Sequence, residues 1–348
     1  MLPSRTPSTQ IGTEPKVTPK LRTRYEMESL KRKVIDSDTI ECASNSASSV
    51  SSGSAPSKVL KIDDVGAEFK ELRRLMELAP DQIGSTAVEF HEHFDKIATY
   101  LMNSVAMVVN NKHHYRLVEI EFYLNGGKHL DVFTHSNKDQ KTCGEWYFHK
   151  MNGSYKGGSY KGLDITFGRH DTCYGGILIR GVQLSNDPAA KIIEGPCLVV
   201  DQVLKHTNSK MIIDLVDHPS FSKSIFSETS LLRIVPTKQK IIRPLIKGPR
   251  VGLTLKKTDK ERVDYLMREY RYLNIPEQHS KGKPYIILAL HRQGKTLQQI
   301  CDITKTKQIH ASRYIDLYER NQNTLDFFIG KTLSTNLMCE IYAAICKG

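Results

Sequence analysis

The residues best placed to do chemistry together are Glu119, Glu121 and Tyr123, spaced by two within the run RLVEIEFYL at 116–124. On an extended chain that spacing puts all three on one face with Leu117, leaving Val118, Ile120 and Phe122 on the other. Carboxylates on a strand ordinarily face water. Two acids beside a phenol, followed twelve residues later by His135-Ser136, can also line a pocket where protons are exchanged. Cys143, His149, His170 and Cys173 give C-x5-H and H-x2-C, which is not the spacing of a standard zinc finger, so no metal is expected. A Cys/His nucleophile pair would need an orienting third group, and none is marked. The tandem G-S-Y-K-G unit from Gly153 to Gly162 has the glycine content of a phosphate cradle but no strand-to-helix context for one.

The elements that must position these residues are mixed. Residues 68–78 (EFKELRRLMEL) read as a helix with Phe69, Leu72, Leu75 and Met76 on one face. Residues 94–109 read as a helix running into a strand, and 116–124, 130–133 and 177–182 as strands. A turn and helix follow at 192–204, then two basic strands near 238–246 and 250–255. From 256 onward the pattern is helical: ERVDYLMREYRYL, KPYIILALHRQG, TLQQICDI and ASRYIDLYERN. The corner Gly294-Lys295-Thr296, with Thr296 placed to cap a helix, suggests a helix-turn-helix-like module; an ordinary small bundle fits the same pattern.

Composition sets the outer bounds. The chain has 348 residues and a formal charge of +12, an excess that suits a polyanionic partner. From Lys238 to Arg262, nine residues are basic against two acids, a stripe suited to phosphates, Arg250 among them. Eight of the fourteen residues from Ser44 to Ser57 are serine, so residues 1–58 are expected to be disordered; they carry the basic cluster Lys31-Arg32-Lys33. Seven cysteines at irregular spacing read as reduced thiols, not a secreted disulfide framework. No stretch has the length of a membrane span, and the first residues lack the apolar core of a signal peptide. The expectation is a soluble, nuclear protein.

Several short motifs resemble, in order, those of the 3-methyladenine (alkyladenine) DNA glycosylases over roughly residues 90–273. They are Val118-Glu-Ile-Glu121-Phe-Tyr123, His135-Ser136, Leu163-Asp164-Ile165, Gly176-Ile-Leu-Ile-Arg180, Glu194-Gly195-Pro196 and Gly248-Pro249-Arg250-Val251-Gly252. The resemblance implies an α+β fold: a curved, mostly antiparallel sheet with surrounding helices. It implies that Glu121 is the general base activating water against the sugar C1′, with Arg180 orienting that water. Tyr123 would stack on the extruded base, and His135 would contact the base or a neighbouring phosphate. It implies double-stranded DNA as partner, a monofunctional reaction, and neither metal nor other cofactor.

Two places depart from the family's pattern. Asp164 stands where the family has an asparagine that screens bases at the pocket wall, which would alter the exocyclic groups tolerated. The G-S-Y-K-G repeat replaces an aromatic-rich hairpin that supplies the wedge for the flipped nucleotide. Tyr155 or Tyr160 could fill that role, with Lys156 and Lys161 at phosphates. The expected organisation is a tail at 1–58, a helical lead-in at 59–85, a glycosylase-like domain at 86–273 and a helical module at 274–348, in a monomer. The alternative is a catalytically altered nucleic-acid-binding protein on the same fold.

Overall fold

The run containing Glu121 folds as the strand around which the sheet is built. A computed structural model describes residues 69–169, 173–237, 242–255 and 260–347. The tail at 1–58, the start of the lead-in, the Lys31–Lys33 cluster, His170 and part of the 238–246 stretch lie outside them. In chain order the helices and strands are α1 (Lys70–Met76), α2 (Pro80–Ile83), α3 (Ala87–Asn103), β1 (Val105–Val109), β2 (His113–Gly126) and β3 (His129–Leu130). Then follow β4 (Cys143–Phe148), β5 (Lys150–Met151), β6 (Ser154–Tyr155), β7 (Leu163–Phe167), β8 (Cys173–Leu184), β9 (Ile193–Glu194), α4 (Pro196–His206) and α5 (Ile212–Val216). The chain continues with β10 (Leu232–Pro236), β11 (Ile246–Gly248), α6 (Lys260–Leu266), β12 (Arg271–Leu273), α7 (Lys283–Arg292), α8 (Leu297–Thr304), α9 (Gln308–Glu319) and α10 (Thr335–Lys347).

The fold is mixed helix and sheet. A ten-stranded open sheet runs β10-β1-β2-β8-β7-β4, with β3 and β12 also on β2, β11 on β12, and β9 on β8. These pairings are antiparallel. β2 uses one edge for β8 along nearly its whole length, and divides the other between β1, β12 and β3. The Val, Ile and Phe content of this run suits such a strand, because β-branched and aromatic side chains pack well on a pleated surface. Its inner face is held by α3, which Thr86 and Glu89 start with a reciprocal capping box. Phe90, Phe94, Ile97 and Leu101 recur at helical spacing on the buried side of α3, and Phe94 stacks on Phe122 at 4.6 Å.

Four readings of the sequence change here. The pairing register slips between Leu117 and Ile120, so the alternation of β2 breaks by one residue. Leu117 therefore joins Ile120 and Phe122 in the apolar core instead of sharing the acidic face. The strand expected at 130–133 ends at Leu130, because Asp131 turns the chain by accepting from the Phe133 N–H. Residues 250–255 form no strand: Pro249 lacks a donor, Gly252 sits at φ +89°, and the Arg250 side chain turns inward. The helical pattern ERVDYLMREYRYL stops at Leu266, and Arg271–Leu273 becomes β12, since pairing with β2 outweighs local propensity.

The helices after 274 do not stand apart from the sheet. Leu273 of β12 shares an apolar cluster with Ile286, Ile287 and Leu290 of α7, Ile300 of α8 and Ala311 of α9. A neighbouring cluster joins Leu255 and Leu266 to Tyr285, Tyr318 and Tyr342. Thr296 caps α8 as its position predicts, accepting from the Gln299 N–H at 3.2 Å. No helix among the described residues is long and apolar enough to cross a membrane.

Candidate functional site

Beyond the bulge, Glu119 and Glu121 leave the core face and are nonetheless fully buried, at 0 % exposure each. Burying two carboxylates costs several kcal/mol apiece, on the order of the effective ionic desolvation penalty, unless cations and donors meet them. They are met. Arg180 on β8 and Arg271 on β12 place their Nε groups 2.8 and 2.7 Å from the same Glu119 oxygen. Glu121 accepts from the Tyr123 hydroxyl at 2.8 Å and from the Val251 N–H at 2.7 Å, with Arg180 Nε 3.2 Å away. Burial raises the Glu119 pKa, but Arg271 and Arg180 outweigh it and hold the carboxyl below its usual range. Burial and the Glu121 charge push the Tyr123 hydroxyl well above its ordinary range, so it stays a donor. Burial works against the Arg180 charge, yet Glu121 and Glu119 together keep it firmly protonated.

Asp164 centres a second polar group. It is 2 % exposed; one oxygen lies 2.7 Å from His149 Nε2 and the other accepts from the Gln140 amide at 3.2 Å. An aspartate here is thus supplied with donors rather than left in an apolar wall, and its acceptor chemistry sets His149 as the Nε2–H form. The His149 ring lies 4.2 Å from that of His135, whose Nε2 is 3.2 Å from Lys156 Nζ. Gly176 leaves room for this arrangement: a Cβ there would come within 2.5 Å of Asp164 Oδ2 and 2.6 Å of Gln140 Nε2.

Strand register joins the two groups. Tyr147 is opposite Asp164, Asp164 opposite Leu178, Leu178 opposite Glu121, and Glu121 opposite Arg271. Directly opposed residues point to the same face, so one row crosses β4, β7, β8, β2 and β12. At about 4.8 Å per strand, Glu121 and Asp164 stand roughly 10 Å apart with Leu178 between them.

The remaining residues expected at the site divide. Tyr155 packs edge-on to Phe148 and carries Lys150 4.9 Å above its ring. Tyr160 is 78 % exposed. Lys161 is ion-paired with Asp201. Arg250, expected at phosphates, is instead an interior residue: its guanidinium pairs with buried Asp131 and donates to the carbonyls of Phe122 and Tyr265 at 3.0 and 3.1 Å. The guanidinium also lies 4.4 Å from the Tyr123 ring centroid. Reasoning from sequence missed Gln140, Tyr147, Asp131 and Arg271. The signal for Gln140 was Asp164 itself, since a buried carboxylate demands donors. Arg271 had no such signal, because its run read as helix.

His279, also buried, lies between Glu119 at 3.5 Å and Glu194 at 3.6 Å. Burial disfavours its charge, but the two carboxylates prevail and raise its pKa. Among the described residues these three side chains are the group whose ligand atoms lie close enough to hold a metal ion. Arg180 and Arg271 already neutralise Glu119, and a divalent ion would sit against both guanidinium groups. An imidazolium fits that environment better. Of the zinc set considered from sequence, His149 bonds Asp164 and His170 lies outside the described residues.

No family model matches the chain. The chain is 36 % identical over 176 residues to an uncharacterized protein of Acanthamoeba polyphaga mimivirus, an alignment covering 47 % of this chain and 79 % of that protein. At that identity and coverage the chain belongs to the same family as this viral protein.

Proposed function

We propose that this protein is a nuclear DNA glycosylase that flips a damaged purine out of duplex DNA and hydrolyses its N-glycosidic bond. The observation that carries this reading is the Glu121 carboxylate, held by Tyr123, Val251 and Arg180 in one row with Asp164. In the reaction, water oxygen bonds to C1′ while the C1′–N bond breaks and its electron pair leaves with the base. Glu121 takes the proton from water and its charge stabilises the oxocarbenium-like transition state. An alkylated purine that already carries positive charge leaves neutral. Leu178 would form the floor under the flipped base, with Asp164 at its far edge and Tyr123 and His135 at its sides. Water reaches Glu121 only when the Val251 N–H releases it, so the exposed turn at Gly252 would open during catalysis.

One observation favours a second reading. Both Glu121 oxygens are bonded inside the protein and none of the residue is exposed, which also describes a structural carboxylate in a catalytically altered nucleic-acid-binding protein. Single-turnover release of hypoxanthine or an alkylated purine from a labelled duplex separates the two. Release by wild type that falls by about 10²–10⁴-fold in Glu121→Gln supports the glycosylase. Absence of release from any lesion, with duplex binding equal in both proteins, supports the second.

A further inference from the structure

Three helices beyond the sheet form a unit that the proposed base excision does not use. α7, α8 and α9 pack through Ile286, Ile287 and Leu290 against Ile300 and Ala311. Only three residues, Lys305 to Lys307, join α8 to α9, and Lys305 makes the corner in the left-handed region at φ +50°. This is the layout of a helix-turn-helix, in which the second helix of the pair presents its first turns to a duplex groove.

The outer face of α9 is built for such a partner. Ile309, Arg313 and Asp316 follow one another at helical spacing and all are exposed, Ile309 at 74 %. Gln308 and Ser312 flank them, the first exposed and the second partly so. A large apolar side chain left uncovered at the second position of a helix is suited to contact with a thymine methyl. Arg313 and Gln308 have the donor geometry for the edges of guanine and adenine. From Ile309 to Asp316 the helix rises about 10 Å, roughly the stacking height of three base pairs.

Charge selects the occupant. Between residues 295 and 316 stand Lys295, Lys305, Lys307 and Arg313 against two acids, Asp302, which is bonded to the Gln298 amide, and Asp316, exposed on the outer face of α9. All four cations are exposed, and among the described residues none is tied to a carboxylate; Arg313 instead donates to the Asn336 side chain at 3.1 Å. An apolar contact beside four exposed cations matches a major groove bordered by phosphates, and Asp316 can accept from a cytosine amine. Such a contact does not match an acidic helix, which would leave Ile309 against charge.

We propose that α9 is a recognition helix that reads a short sequence in the major groove of undamaged duplex DNA, anchoring the protein independently of base excision. The test uses the full chain and a fluorescently labelled undamaged duplex. In Lys307→Gln/Arg313→Gln, one phosphate contact and one guanine contact are lost, so affinity should fall at least tenfold and the salt slope of log affinity by about 0.9. Wild type should enrich a motif of a few base pairs from a pool of randomised duplexes and protect guanine N7 within it from methylation. An unchanged affinity and slope in the variant overturns the proposal, as does wild type that enriches no motif or protects no guanine N7. Glu121→Gln should bind this duplex like wild type. Retained binding without base release by wild type would therefore sink the glycosylase reading and leave the recognition helix standing.

Discussion

Single residues here act mostly by supplying or removing a counter-charge. Arg250 shows the scale of the effect. Its partner Asp131 is fully buried, so Arg250→Ala should strand an unpaired charge and cost about 3–5 kcal/mol in urea unfolding. A loss below about 1 kcal/mol, the range of a surface pair, would show that the pair is dispensable. Asp164 is where residue chemistry would set specificity. A charged acceptor at the pocket wall favours bases that present an exocyclic amine, whereas an amide also offers a donor. Asp164→Asn should therefore shift relative single-turnover release away from amine-bearing bases and toward carbonyl-bearing ones by about tenfold, the worth of one charge-assisted hydrogen bond. An unaltered ratio would remove Asp164 from the base contacts.

At the scale of elements, the bulge in β2 separates the acids from the core, and the segment before α7 closes over them. His279 fastens that segment by standing between Glu119 of β2 and Glu194 of β9, with Arg271 of β12 opposing its charge. Its folded pKa lies above the usual 6.5, so the stabilisation is complete below about 6.5 and is lost as the pH rises through the folded value. Hydrogen exchange at residues 275–282, corrected for intrinsic rates, should accelerate as the pH is raised from 6 toward 9. In His279→Gln that dependence should vanish. Equal pH dependence in both proteins would mean that the imidazole is neutral in the clamp.

For the whole molecule, other histidines set the acid limb. Burial pushes His93 and His129 down to about 4 from 6.5. His129 is fixed in its neutral form, donating to the Leu124 carbonyl at 2.7 Å and accepting from the Tyr270 hydroxyl at 2.8 Å. The unfolded chain binds these protons first, so stability should decline as the pH falls from about 6.5 to 4, by up to about 3 kcal/mol for each group. Together with the loss above 6.5 from His279, a plot of Tm against pH should peak close to neutrality. In His129→Gln the acid limb should be shallower, and an unchanged limb would show that His129 does not drive it.

The sequence by itself determined the local features: the capping of α8 by Thr296, the apolar stripe of α3, the turn and helix at 192–204, and the strand that carries Glu121. Each depends on side-chain periodicity or on hydrogen bonds within a few residues, which are written in order along the chain. Periodicity gave only mixed helix and strand, and the mostly antiparallel sheet with surrounding helices was expected from the resemblance of the motifs. Only the tertiary structure decided which polar groups meet. Leu117 crossed to the core because of a bulge that alternation does not encode. Arg250 turned inward because Asp131, 119 residues away, was buried and needed a cation. Arg271 became a strand residue on the edge of β2 because its partners there repaid what helical propensity offered. The helices after 274 joined the sheet through Leu273, so their placement followed from a shared apolar cluster and not from the composition of either part. Buried charge and long-range burial are properties of assembled surfaces, and no window of neighbouring residues contains them.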